Sequence, residues 1–268
     1  MIAVLLLSTT LVYPIVLAAL AVIAVFEVLR VYDLQKKLTL AIPAYVIAAA
    51  MPPVAYFLRV IKGQDETNFI ITLALVLLIF MMYTFGVAVF SKGKIPYTTF
   101  AGALLFIMYI VCGFSAVCII RYIVNDTVGL FCLGLILIGA WISDVFAYFT
   151  GVLFGKHKLI PEVSPKKTVE GSIGAIVFTT LALVLYGFIA NKTTGVTPNY
   201  LVLAISGPVL SVVGQIGDLF ASVVKRERGI KDYGTLLPGH GGIMDRFDSI
   251  LATSVASMVI SLLFTPFS

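Results

Sequence analysis

Apolar residues run along this chain in long, nearly unbroken blocks separated by short polar punctuation. Eight blocks are each about 20 residues long, near 10–29, 38–58, 68–90, 97–119, 128–154, 170–190, 199–224 and 249–266. A hydrocarbon core about 30 Å thick takes about 20 residues of helix to cross, and in lipid every backbone N–H and C=O must find a partner within the structure. The blocks lack the in-out alternation of a transmembrane barrel. The pattern therefore predicts an all-α, polytopic integral membrane bundle of about eight transmembrane helices. Met1–Thr9 are apolar as well, and a ninth span follows if they belong to a further helix. Pro14, Pro43 and the Pro52–Pro53 pair fall inside blocks and predict kinks or breaks. No repeat, low-complexity tract or soluble stretch divides the chain. One membrane domain over 1–268 is expected, with 1–127 as its N-terminal helices and 128–268 as the part that carries the chemistry.

Composition agrees: 60% of the 268 residues are hydrophobic and 12% charged, with a mean hydropathy of +1.10, which excludes an ordinary soluble domain. The first 29 residues lack a basic lead and a small-residue cleavage site, so they read as membrane helix, not as a removed signal. Cys112, Cys118 and Cys132 have no metal-ligand spacing and read as small core residues.

A net charge of +5 would suggest nucleic acid in a soluble protein, but here the placement of charge decides. Alternate connections hold Arg30, Lys36, Lys37, Lys92, Lys94, Lys156, Lys158, Lys166, Lys167, Lys225, Arg226, Arg228, Lys231 and Arg246; the others hold only Arg59, Lys62, Arg121 and Lys192. The positive-inside rule puts the first set in the cytoplasm and both chain ends outside. The expected location is the cell (inner) membrane, with the polar loops facing the cytosol.

The candidate chemistry lies in those loops and the helix ends beside them. Gly214, Asp218, Ser222 and Lys225 recur at spacings of four, four and three, so they share one helix face. Asp144 sits inside an apolar run, where a carboxylate costs at least about 2.5 kcal/mol near the bilayer centre; Tyr148, Gly151 and Gly155 follow on its face. It either pairs with a basic residue to hold the bundle or does chemistry. Lys156, Lys158, Lys166 and Lys167 either touch lipid head groups or bind a phosphate. Ser164, Thr168 and Glu170 beside them favour the second reading, since Thr168 with Gly171 opens a helix whose N-terminus suits an anion. Asp245 and Asp248, three apart, follow a Gly-rich cluster around His240, for which a positioning or phosphate-contact role outweighs proton transfer. Glu27, near a helix end, reads as snorkelling. Carboxylates for a hard cation and lysines for phosphate thus map to one side, which fits a divalent ion shared with substrate phosphates.

Two stretches resemble the phosphatidate cytidylyltransferases, or CDP-diacylglycerol synthases. One is Ser222, Lys225, Arg226, Lys231, Asp232 and Leu237-Pro-Gly-His-Gly-Gly-Ile-Met-Asp-Arg-Phe-Asp248; the other runs from Asp144 through Tyr148, Gly151, Phe154-Gly-Lys156 and Ser164-Pro-Lys-Lys-Thr168 to Glu170-Gly171. The likeness is strong over 140–250 and only one of hydropathy before that. It implies that CTP and phosphatidic acid give CDP-diacylglycerol and pyrophosphate, with magnesium and in some members potassium, in a homodimer of bundled helices.

On that basis Asp218 and Asp245 are expected to hold the metal, with Asp144 and Asp248 as further ligands or partners. Lys166, Lys167, Lys225, Arg226, Lys231 and Arg246 would hold the triphosphate and the leaving pyrophosphate, and Gly241 and Gly242 would bring backbone amides close. Ser164, Thr168, Ser222 and Asp232 complete the expected substrate site. A CTP-dependent polyprenol or lipid kinase and an ion-coupled transporter are the alternatives; the transporter predicts polar residues spread through the midplane and internal symmetry.

Overall fold

The computed structural model describes residues 8, 10–61, 63, 66–122, 126–236, 238–239 and 241–268. His240, Lys62 and all but Ser8 of Met1–Thr9 lie outside the described residues, and with them the reading of His240 and of a ninth span. Among the described residues eight helices are long and apolar enough to cross a membrane. They match the eight apolar blocks, because a block of that length has no other way to satisfy its backbone in lipid. The chain folds as two compact units, Met1–Tyr122 with Asp232–Asp245, and Ile123–Lys231 with Arg246–Ser268.

The first unit holds α1 (Val12–Val31), α2 (Leu38–Tyr56, extended by a π-helical turn at Phe57–Ile61), α3 (Glu66–Phe90) and α4 (Tyr97–Arg121). Small side chains let the helices approach. Ala21 and Ala24 of α1, Ala41, Ala44, Ala48 and Ala55 of α2, and Ala103 and Ala116 of α4 are all buried. Pro14 falls in the first turn of α1, where no helical N–H is lost. Pro43, Pro52 and Pro53 lie within α2. The Cys118 thiol donates to the Pro52 carbonyl oxygen at 3.2 Å, consistent with a small core residue. α3 turns Leu75, Ile79, Val89 and Phe90 outward, as a lipid-facing helix does.

The second unit holds α5 (Asp126–Leu137), which passes through a π-helical turn at Ile138–Ile142 into α6 (Ser143–Phe154), then α7 (Val169–Thr194), α8 (Tyr200–Glu227) and α9 (Met244–Phe264), whose first two residues count with the first unit. α6 and α7 pack closely through glycine: a Cβ on Gly171 would strike the Ala147 carbonyl, and one on Gly174 the Thr150 side chain. α9 buries a polar face of Ser249, Thr253, Ser257 and Ser261, and Thr253 approaches Gly214 of α8. Between α6 and α7 the chain forms a two-stranded antiparallel hairpin, β1 (Lys158–Ile160) with β2 (Ser164–Thr168). The hydropathy pattern gave only a basic loop here, because strands this short leave no periodic signal. At the opposite end Thr197 and Ser268 exchange N–H···O bonds of 2.8 and 3.0 Å.

Candidate active site

Within the second unit a cavity of about 520 Å³ opens between the hairpin and α6, α7 and α8. Asp144 and Gly151 of α6 and Gly155 at its C-cap line one wall, Lys158, Ser164, Lys166 and Lys167 the hairpin side, Thr168 and Ser172 the start of α7, and Gln215 and Asp218 the α8 side. The elements explain the placement. Gly151 and Gly155 keep α6 free of side chains where Thr168 crosses it, since a Cβ on either would press on the threonine. Thr168 is the N-cap of α7, its hydroxyl accepting from the Gly171 N–H at 3.1 Å. Arg226, at the end of α8, donates through Nε to the Val163 carbonyl at 3.4 Å in the hairpin turn.

Three of the four expected carboxylates share this region. Asp144 lies within electrostatic range of Asp218 and Lys167, and Asp248 within range of Asp218, Asp144 and Lys225. Lys167 Nζ meets Asp218 Oδ2 at 2.5 Å, with the two side chains 23% and 27% exposed. Charge makes that contact, since the pair lacks hydrogen-bond alignment. Ser222 donates to Asp218 Oδ1 at 3.4 Å, so the predicted helix face is real. Ser249 reaches Asp144 Oδ2 at 3.5 Å. Behind the site Ser143 and Ser211 share a 2.9 Å hydrogen bond, and Gln215 donates to Ser211 at 3.1 Å.

Among the described residues no three acidic, histidine or cysteine side chains are drawn together as a bound metal ion would require. The donor set nevertheless suits a hard cation. Three carboxylates interact there with Lys167 and Lys225 as the neighbouring cations, and oxygen donors of this kind suit a hard divalent ion.

Asp245 belongs to the first unit and has another setting. Its Oδ2 accepts from the Tyr233 N–H at 2.7 Å and the Gly242 N–H at 3.0 Å. Glu27 does not snorkel. It is 3% exposed, and its two oxygens accept from the Ile243 and Met244 N–H groups at 3.0 and 2.9 Å. The first amides of α9 need an acceptor, and a carboxylate meets that need better than water would. The Gly242 amide donates to Asp245, and a Cβ there would collide with Glu27. Gly241 has a φ of +81°, which an L side chain rarely adopts.

Glu170, expected beside the lysines, folds back onto its own connection. It accepts from the Lys156 and His157 N–H groups at 3.1 and 3.2 Å and meets His157 Nδ1 at 2.7 Å. Lys231, Asp232 and Arg246 are exposed, and Lys225 is half-buried. Ser172, Gln215 and Ser249 were missed, because an isolated hydroxyl or amide in an apolar run looks like packing until its neighbours are known.

The chain matches the model of the cytidylyltransferase family over residues 1–264. It is 34% identical over 233 residues to the phosphatidate cytidylyltransferase of Staphylococcus epidermidis, covering 87% of this chain and 83% of that protein. It is 41% identical over 150 residues to that of Mycobacterium tuberculosis, 56% of this chain and 42% of that one. With that of Mycobacterium leprae it shares 47% over 128 residues, 47% of this chain and 38% of that protein. A polytopic helical chain with this acidic and basic site, matched almost end to end, belongs to the cytidylyltransferase family.

Proposed function

We infer that this chain transfers CMP from CTP to phosphatidic acid, giving CDP-diacylglycerol and pyrophosphate, at the cytoplasmic face of the cell membrane. The observation that carries the mechanism is a group of three interacting carboxylates, two of which, Asp144 and Asp218, line a cavity of about 520 Å³ together with Lys158, Lys166 and Lys167. Phosphatidic acid is a phosphomonoester with a second pKa of about 6, so at neutral pH its head is mostly a dianion and needs no strong base. Its oxygen attacks the α-phosphorus of CTP, the bond to the bridging oxygen breaks, and pyrophosphate leaves. The obstacle is repulsion between two anions, and the site's task is positioning and charge neutralisation.

Lys166 and Lys167, with Ser164 and Thr168, hold the triphosphate on the hairpin side, and Lys225, Arg226, Lys231 and Arg246 attract the leaving pyrophosphate. Asp144, Asp218 and Asp248 would hold a divalent ion, magnesium by their oxygen chemistry; the sequence signature implies a metal role for Asp245 as well, and potassium and a homodimer are implied by the same resemblance. Bound there, the ion supplies Lewis-acid neutralisation of the phosphate oxygens. Asp218, in contact with Lys167 here, would be one of the oxygen donors, and Lys167 would be left to the triphosphate. The excess of basic residues in the 155–168 and 225–246 connections supports a cytoplasmic site, where soluble CTP meets a lipid head.

Purified protein is incubated with phosphatidic acid, magnesium and CTP labelled at the α-phosphate, then extracted into solvent. Label in the lipid phase with release of pyrophosphate is expected. Release of CDP with unlabelled lipid would make the chain a kinase, and no turnover would remove the reading.

A further inference from the structure

The buried carboxylate of Glu27 has no place in the transfer itself, yet it organises a part of the first unit that the sequence signature marks. Glu27 stands in α1, 216 and 217 positions before the amides it accepts, Ile243 at 3.0 Å and Met244 at 2.9 Å. One turn on, Arg30 Nη2 donates to the Tyr233 carbonyl at 2.7 Å. The Tyr233 amide in turn donates to Asp245 Oδ2, which also takes the Gly242 amide. Glu27 and Arg30 thus grip the 232–245 segment at both of its ends, and Asp245 ties those ends together.

Two glycines record the same contact. At Gly234 the first atoms a Cβ would meet are those of the Glu27 carboxyl, and at Gly242 the three nearest atoms all belong to it. Neither glycine has a left-handed φ, so their smallness answers to Glu27 and not to the backbone. Tyr233, fully buried, packs against Phe106 of α4 at 5.7 Å between ring centroids and anchors the start of the segment.

Resting on the reading of the chain as a CMP transferase, we propose that Glu27 is a positioning residue for that reaction: it fixes the 232–245 segment and so holds the Asp245 carboxylate in one orientation, without touching substrate. An amide in its place keeps the size but offers one acceptor where two N–H groups arrive, and turns its NH₂ donor toward one of them.

The test compares wild type, Glu27→Gln, Glu27→Ala and the double variant Glu27→Ala/Gly242→Ala in detergent or nanodiscs. Three readouts are taken: thermal unfolding, amide hydrogen exchange across 232–245 without added metal, and kcat and KM for CTP. For Glu27→Gln the expected result is exchange at Ile243 and Met244 faster by about tenfold or more, a kcat lowered by about 10- to 100-fold, and a KM changed by less than about threefold. The double variant, whose new methyl group enters the space the carboxyl left, should melt above Glu27→Ala while its kcat stays low. Faster exchange with unchanged kcat would reduce Glu27 to a structural residue, and unchanged exchange in Glu27→Gln would remove the grip itself. If wild type transfers no CMP, the function has failed, and hydrogen exchange still reports on the grip.

Discussion

Two groups of carboxylates carry most of the polar interest, and they are built on opposite plans. In the first unit Glu27 and Asp245 each receive two backbone N–H groups, and Arg30 closes the chain on Tyr233. In the second unit Asp144, Asp218 and Asp248 mainly face one another and two lysines, beside a cavity. Glu27, with a backbone amide on each of its oxygens, is spent on folding, whereas Asp245 takes both of its amides on Oδ2. Carboxylates that repel each other in a partly buried place raise the energy of the structure until a cation arrives, so their arrangement makes sense as a binding site and not as a brace. Burial alone does not separate the two plans; the partners do.

The strongest way to break this contrast is Asp218→Asn. Removing one charge from the acidic group should lower kcat by about 10²- to 10³-fold with folding retained, read by transfer of α-labelled CMP into lipid; a loss under tenfold would end the assignment of that group to catalysis. Gly171→Ala tests the scaffold instead. Its Cβ would strike the Ala147 carbonyl, and overpacking of this kind costs about 1–3 kcal/mol. The melting temperature should fall by several degrees.

The lysines sharpen the contrast further. Lys167→Met should raise KM for CTP by about tenfold, as loss of one charged hydrogen bond does, whereas the more exposed Lys166→Met should raise it only about two- to fivefold. Equal effects would mean that contact with Asp218 gives Lys167 no special place. The smallest effect is expected from Glu170→Gln. Exchange at the Lys156 and His157 amides should quicken while kcat and KM stay nearly unchanged, because Glu170 holds only its own connection.

How far the sequence could be read follows the same line. The spans were legible because apolar length is a local property, and the shared face of Asp218 and Ser222 was legible because helical spacing is local too. Asp144 announced itself by the cost of its position. Glu27 was misread, since its partners lie more than two hundred residues away and a lone acidic residue near a helix end looks like one reaching for water. The hairpin was hidden by its shortness.

The π-helical turn at Ile138–Ile142 has a consequence for how this chain can vary. Each residue of an α-helix advances the face by about 100°, and a π turn adds one residue without a matching advance. Asp144 sits two positions past it. A deletion of one residue from that turn, restoring a plain helix, would leave the carboxylate facing the cavity, whereas the same deletion from the regular part of α5 would swing it around the axis by roughly 100°. The turn thus absorbs a change of length that a regular helix could not.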